Sequence, residues 1–148
     1  MDLGAKVKLL NIEKVIILKS IDLFSKIPES DLLILAMEFE TVRFKANTVV
    51  MTQGDIGNSM YILASGEVNV DVDTQRVATL KDKNIFGELA IFDPEPRSAT
   101  ITTTKDTVLF TIKSDVMYDL ISRYPNVSRG IIKILSKRVR EKNNTAVQ

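Results

Sequence analysis

Between Phe39 and Ser114 the sequence changes its period, and no other feature limits the possible folds so strongly. On either side apolar residues recur every three or four positions; within the segment they alternate. In EVNVDV the valines at 68, 70 and 72 point one way while Glu67, Asn69 and Asp71 point the other, the pattern of a half-buried strand. SMYILA, at 59–64, and TVLFTI, at 107–112, read as strands of the same kind. Turn residues separate these runs at short intervals: Lys45-Ala46-Asn47, the Gly54–Asn58 stretch, Ser65-Gly66, Asp73-Thr74-Gln75 and Lys105-Asp106. Short strands with regular turns predict a mainly β fold with flanking helices (α+β), an antiparallel β jelly-roll barrel with N-terminal helices and two C-terminal helices.

The flanks supply those helices. Leu9, Ile12, Val15, Ile16 and Leu18 fall on one face of a helix over residues 9–21, and a second helix over 29–37 has Pro28 at its first turn. LFSKIP, between them, is a packed connector. Beyond the strands, Ser114 is placed to cap a helix running to about Arg123. Pro125 opens another, with Val127, Ile131, Ile134, Leu135 and Val139 at helical spacing. The expected division is an N-terminal helix in 1–20, a domain in 21–142 (barrel 38–113, closing helices 114–142) and a frayed tail in 143–148.

Composition removes whole classes of function. With 148 residues the chain has room for one packed domain. Lys and Arg number 20 against 19 Asp and Glu, a net charge of +1, so no overall field holds it to nucleic acid or an anionic membrane. An anion must be caught by a local site. Cys and His are both absent, which excludes disulfides, thiolate zinc, iron-sulfur clusters, histidine-ligated haem and imidazole acid-base chemistry. The acids are scattered without calcium-loop spacing. The apolar runs at Val15–Leu18 and Leu32–Met37 fall far short of the roughly 20 residues that span a bilayer. No secretory signal is visible at the N-terminus, and a cytoplasmic location is expected.

The chemistry concentrates in FGELAIFDPEPRSATI, residues 86–101. Gly87 lets backbone approach a ligand closely, and ELAIF can form one helical turn whose free N–H groups face back toward it. Arg97 adds a permanent, planar charge that matches two phosphate oxygens, and the strand-forming SATITTT behind it fixes its base. Glu88 is an odd neighbour for an anion; it makes sense as an acceptor from a hydroxyl. The plainer alternatives are a surface Arg97 paired with Glu95 or Asp93, a purely structural Glu88, and a solvated face for Lys137, Arg138, Arg140 and Lys142.

Phe86-Gly87-Glu88-Leu89-Ala90, a spacer, then Pro96-Arg97-Ser98-Ala99-Thr100-Ile101 resembles the phosphate-binding cassette of the cyclic-nucleotide-binding domain family. QGDIGNSMYILASGEVNV, at 53–70, is similar to that family's Gly-Asp turn, strand and hairpin, and LFSKIP to its entry segment; the resemblance covers about residues 20–142. It implies a cAMP or cGMP ligand and no other cofactor. Arg97 would hold the exocyclic oxygens, aided by backbone near Leu89, Ala90 and Ala99, while Gly87 and Glu88 would hold the ribose 2′-OH. Val72 and Leu80 would wall the purine, and Arg138 would close over it. Ser98 favours cAMP and leaves cGMP open.

The resemblance further implies a regulatory module, not an enzyme, that moves its C-terminal helices and passes the signal to an unidentified protein effector. As a stand-alone bacterial-type domain without a helix-turn-helix, this chain alone is not expected to bind nucleic acid or membrane. Homodimerisation through the helix from Pro125 is open. The alternatives are a piece or relative of a cyclic-nucleotide-responsive transcription regulator or channel, and a degenerate domain that no longer binds.

Overall fold

Alternation builds two antiparallel sheets, and the helical flanks cover one of them. The computed structural model describes residues 4–6, 9–21, 24–87, 91 and 93–147, the side chains of residue 134 and of residues 142–147 excepted. A short strand β1 (Ala5–Lys6) precedes helices α1 (Asn11–Lys19) and α2 (Glu29–Glu38). Then come β2 (Glu40–Phe44), β3 (Val49–Met51), β4 (Ser59–Ser65), β5 (Glu67–Val72), β6 (Gln75–Lys81), β7 (Ile85–Phe86), β8 (Thr100–Thr103) and β9 (Thr107–Lys113). Helices α3 (Ser114–Arg123) and α4 (Pro125–Val147) follow. The sheets run β1-β2-β9-β4-β7 and β3-β8-β5-β6.

Each sheet contributes one face to a core between them: Phe44, Leu63, Val68, Phe86, Ile101 and Leu109 are buried there, with Tyr61, Val70 and Leu80 packed at its margin. A larger core lies on the outer face of the five-stranded sheet. There Met60, Ile62, Ile85, Phe110 and Ile112 meet Leu18, Phe24, Ile27, Leu32 and Leu35 from the N-terminal segment, and Met117, Leu120, Val127 and Ile131 from α3 and α4. Strands β4 and β9 are therefore buried on both faces. That corrects the expectation of half-buried strands at 59–64 and 107–112, and it explains the unbroken apolar run Met60–Ala64, since a strand between two cores needs no polar side. Full burial of each such aliphatic contributes about 1.5–3 kcal/mol.

The helices depart from their expected faces in detail. On α1 the buried residues are Lys14, Val15 and Leu18, whereas Ile12 and Ile16 are 60% and 65% exposed. Leu18 and Val15 enter the core, and Lys14 lies on the same side, where its Nζ donates to Phe39 O at 2.6 Å and Ala36 O at 3.2 Å, the carbonyls that close the C-terminal end of α2. Burial pushes the Lys14 ammonium below its ordinary pKa, with the Glu40 charge opposing. Ser114 is the first helical residue and not a side-chain cap; its backbone N–H donates to Asn58 O at 2.8 Å. Helix α4 continues to Val147, through the segment expected to fray. On its surface Val127 and Ile131 enter the core and Leu135 packs against it, while Val139 is 55% exposed and the Ile134 side chain lies outside the described residues.

Candidate functional site

Arg97 is fixed before its side chain makes any contact. Ile56 and Pro96 form an isolated antiparallel bridge, Arg97 N–H donates to Asp55 O at 2.7 Å, and Gly54 N–H donates back to Arg97 O at 2.9 Å. The Gly54–Asn58 loop and the arm leading into β8 are thus stitched together along their backbones.

The guanidinium then turns inward, leaving Arg97 only 9% exposed. Nη2 donates to Ser59 O at 3.0 Å and Nη1 to Gly87 O at 3.4 Å. Two glycines make room for it. A Cβ on Gly57 would stand 2.0 Å from Arg97 Nε, and one on Gly87 would stand 2.7 Å from Nη1. Gly87 also has φ +74°, the left-handed region that favours glycine. On a third side the guanidinium carbon lies 5.8 Å from the centroid of the Tyr61 ring, which stacks on Phe86 at 5.0 Å with 17° between planes.

None of these partners is a full negative charge. Among the described residues no ion pair joins Arg97 to a carboxylate, and Asp93 and Glu95 are exposed, so the surface pairing weighed from the sequence does not form there. Burial lowers the Arg97 pKa from its ordinary value, with Tyr61 acting the other way. A buried cation supported only by carbonyl dipoles and a ring face keeps its attraction for an anion.

The expected site residues fall into four groups. Gly87 and Arg97 come together, while Ala99 is buried two residues beyond Arg97 and Ser98 between them is exposed. Leu80 packs on the core between the sheets, and Val72 is half-buried at the end of β5, outside that cluster. Arg138 donates from Nη2 to Ile85 O and pairs with Glu141 at 3.6 Å, which ties α4 to the strand entering the cassette. Glu88, Leu89 and Ala90 lie outside the described residues. Ile91, just beyond them, is fully buried in the larger core.

Ser59, Gly57 and Tyr61 were not anticipated. Their part depends on the register that sets Tyr61 opposite Phe86 and on the fold of the 54–58 loop, which no local pattern reveals.

Residues 41–124, more than half of the chain, match the cyclic nucleotide-binding domain family. The chain belongs to that family. A CRP-like cAMP-activated global transcriptional regulator of Mycobacterium tuberculosis is 28% identical over 133 residues, 86% of this chain and 59% of its own. A cAMP-dependent protein kinase regulatory subunit of Hypocrea atroviridis is 30% identical over 129 residues, 81% of this chain and 27% of its own. The chain therefore spans less than two thirds of either relative. A cyclic nucleotide-binding domain from Methylobacillus flagellatus superimposes with a TM-score of 0.77 at 24% identity, covering 93% of this chain and 82% of that one, which shows the shared jelly-roll fold.

Proposed function

We propose that this cyclic nucleotide-binding domain captures a cyclic nucleotide, cAMP in preference to cGMP, and reports it through α4 without catalysing a reaction. The observation that carries this reading is the buried Arg97, held by Ser59 O, Gly87 O and the Tyr61 ring with no carboxylate partner among the described residues. A cyclic phosphodiester carries one negative charge, and one unneutralised arginine matches it. Gly87 and Glu88 then take the ribose 2′-OH, backbone at Leu89, Ala90 and Ala99 supports the phosphate, and Leu80 with Val72 faces the base. The preference for cAMP rests on Ser98 and on the cAMP-linked names of the two curated relatives.

The path to α4 begins at β7. Ile85 faces the larger core and accepts from Arg138, while Phe86 faces the other core and stacks on Tyr61. A ligand that moves the segment after Phe86 changes what Arg138 holds, and α4 passes that change to a protein effector. The domain works as a soluble cytoplasmic sensor; among the described residues no helix is long and apolar enough to cross a membrane.

Calorimetry with cAMP and cGMP on wild type and Arg97→Ala tests the assignment. Wild type is expected to bind at least one nucleotide at about micromolar Kd or tighter, and the variant to lose about 2 kcal/mol or more. Equal binding by both proteins refutes the phosphate site. No binding of either nucleotide to wild type identifies a degenerate domain.

A further inference from the structure

Resting on the nucleotide-binding reading, we infer that Tyr61 is a positioning residue that holds the Arg97 guanidinium ready for an anion without neutralising it. The placement of the ring is imposed by the fold. Along β4, Met60 and Ile62 enter the larger core, so Tyr61 and Leu63 face the core between the sheets. Strand register sets Tyr61 directly opposite Phe86, and the two rings stack at 5.0 Å. Phe86 on one side and the sheet behind leave the Tyr61 ring little freedom, and the guanidinium lies 5.8 Å from its centroid.

The choice of an aromatic partner has a chemical consequence. A buried arginine needs compensation, and the usual compensation is a carboxylate. A carboxylate at this place would satisfy Arg97 and compete with an incoming phosphate. A ring face is attracted to the cation through its quadrupole yet carries no net charge, so the full positive charge remains for the ligand. The carbonyls of Ser59 and Gly87 act in the same way, as dipoles. Tyr61 is half-buried, and its hydroxyl makes no hydrogen bond with the described residues, so the ring face and not the hydroxyl holds the guanidinium.

The test separates this role from nucleotide binding itself. In the ligand-free protein, the Arg97 Nε–H resonance, assigned by its loss in Arg97→Lys, is expected upfield in wild type and Tyr61→Phe and displaced from there in Tyr61→Leu. A wild-type resonance at the unstructured-arginine position overturns the inference with no Tyr61 variant needed, which covers the case of Tyr61→Leu failing to fold. In calorimetry with cAMP, Tyr61→Phe is expected to stay within about threefold of wild type, and Tyr61→Leu to bind roughly tenfold more weakly. If Tyr61→Leu binds as wild type does, or if Tyr61→Phe loses as much as Tyr61→Leu, the ring face is not what positions Arg97. If wild type binds neither nucleotide while the resonance still follows the ring, the nucleotide reading fails and the positioning of Arg97 stands.

Discussion

Gly57 and Gly87 flank Arg97 because a methyl group at either position meets the guanidinium, and the two cases separate cleanly. Gly57 lies outside the left-handed region, so Gly57→Ala acts through contact alone, pushing the guanidinium away from Ser59 O and Gly87 O; it is expected to weaken cAMP binding about tenfold by calorimetry. Gly87→Ala adds left-handed strain of about 1–2 kcal/mol and should lower stability as well. Lys14 offers a prediction in pH. In the folded chain burial holds its pKa below 10.5; unfolded, it titrates near that ordinary value. Between the two values the unfolded chain binds the extra proton, so stability rises with pH through that window and is flat below it. Urea unfolding from about pH 8 to 10.5 should show wild type gaining on Lys14→Met, and a constant difference would sink the argument. Arg97 and Gly87 were legible in the sequence, because a cassette of residue types announces them. Tyr61 and Lys14 were not: one looks like an ordinary strand aromatic and the other like a surface lysine until the partners from distant segments arrive.

Helices and strands are legible in the sequence by kind and less so by orientation. Period two locates the barrel, but alternation cannot show a second buried face, so the sequence of β4 and β9 matches that of strands with one wet side. Helical spacing locates α1, yet the side that carries Leu18 and Val15 into the core also carries Lys14 to the end of α2 and leaves Ile12 and Ile16 in solvent. The β5–β6 hairpin was legible from Asp73-Thr74, where both residues have positive φ, 51° and 67°, as a two-residue turn of the primed type requires. Thr74 is a poor choice for that backbone, since a β-branched side chain is strained there. Thr74→Gly is expected to stabilise the protein by about 1 kcal/mol in urea unfolding, and a loss of stability would contradict the assigned turn.

Across the whole molecule, two cores share one wall. Met60, Ile62, Phe110 and Ile112 face the helices, while Leu63 and Leu109 face the other sheet, so neither core is complete without β4 and β9. This arrangement was only half visible beforehand: the barrel and its flanking helices were expected, the shared wall was not, because it depends on pairing between segments far apart in the chain. That pairing also governs when the protein can form. β9 is the last strand made, and it inserts between β2 and β4, with Glu40 opposite Thr111 and Ser59 opposite Lys113. During synthesis the earlier strands wait with a gap where their central neighbour belongs, and the wall closes only after Lys113 has left the ribosome. Folding rate falls as contacts become non-local, so refolding from urea by stopped flow is expected in milliseconds to seconds, not microseconds. A nascent chain ending before Thr107 should give no cooperative unfolding transition, which makes the barrel an all-or-none product of its final strand.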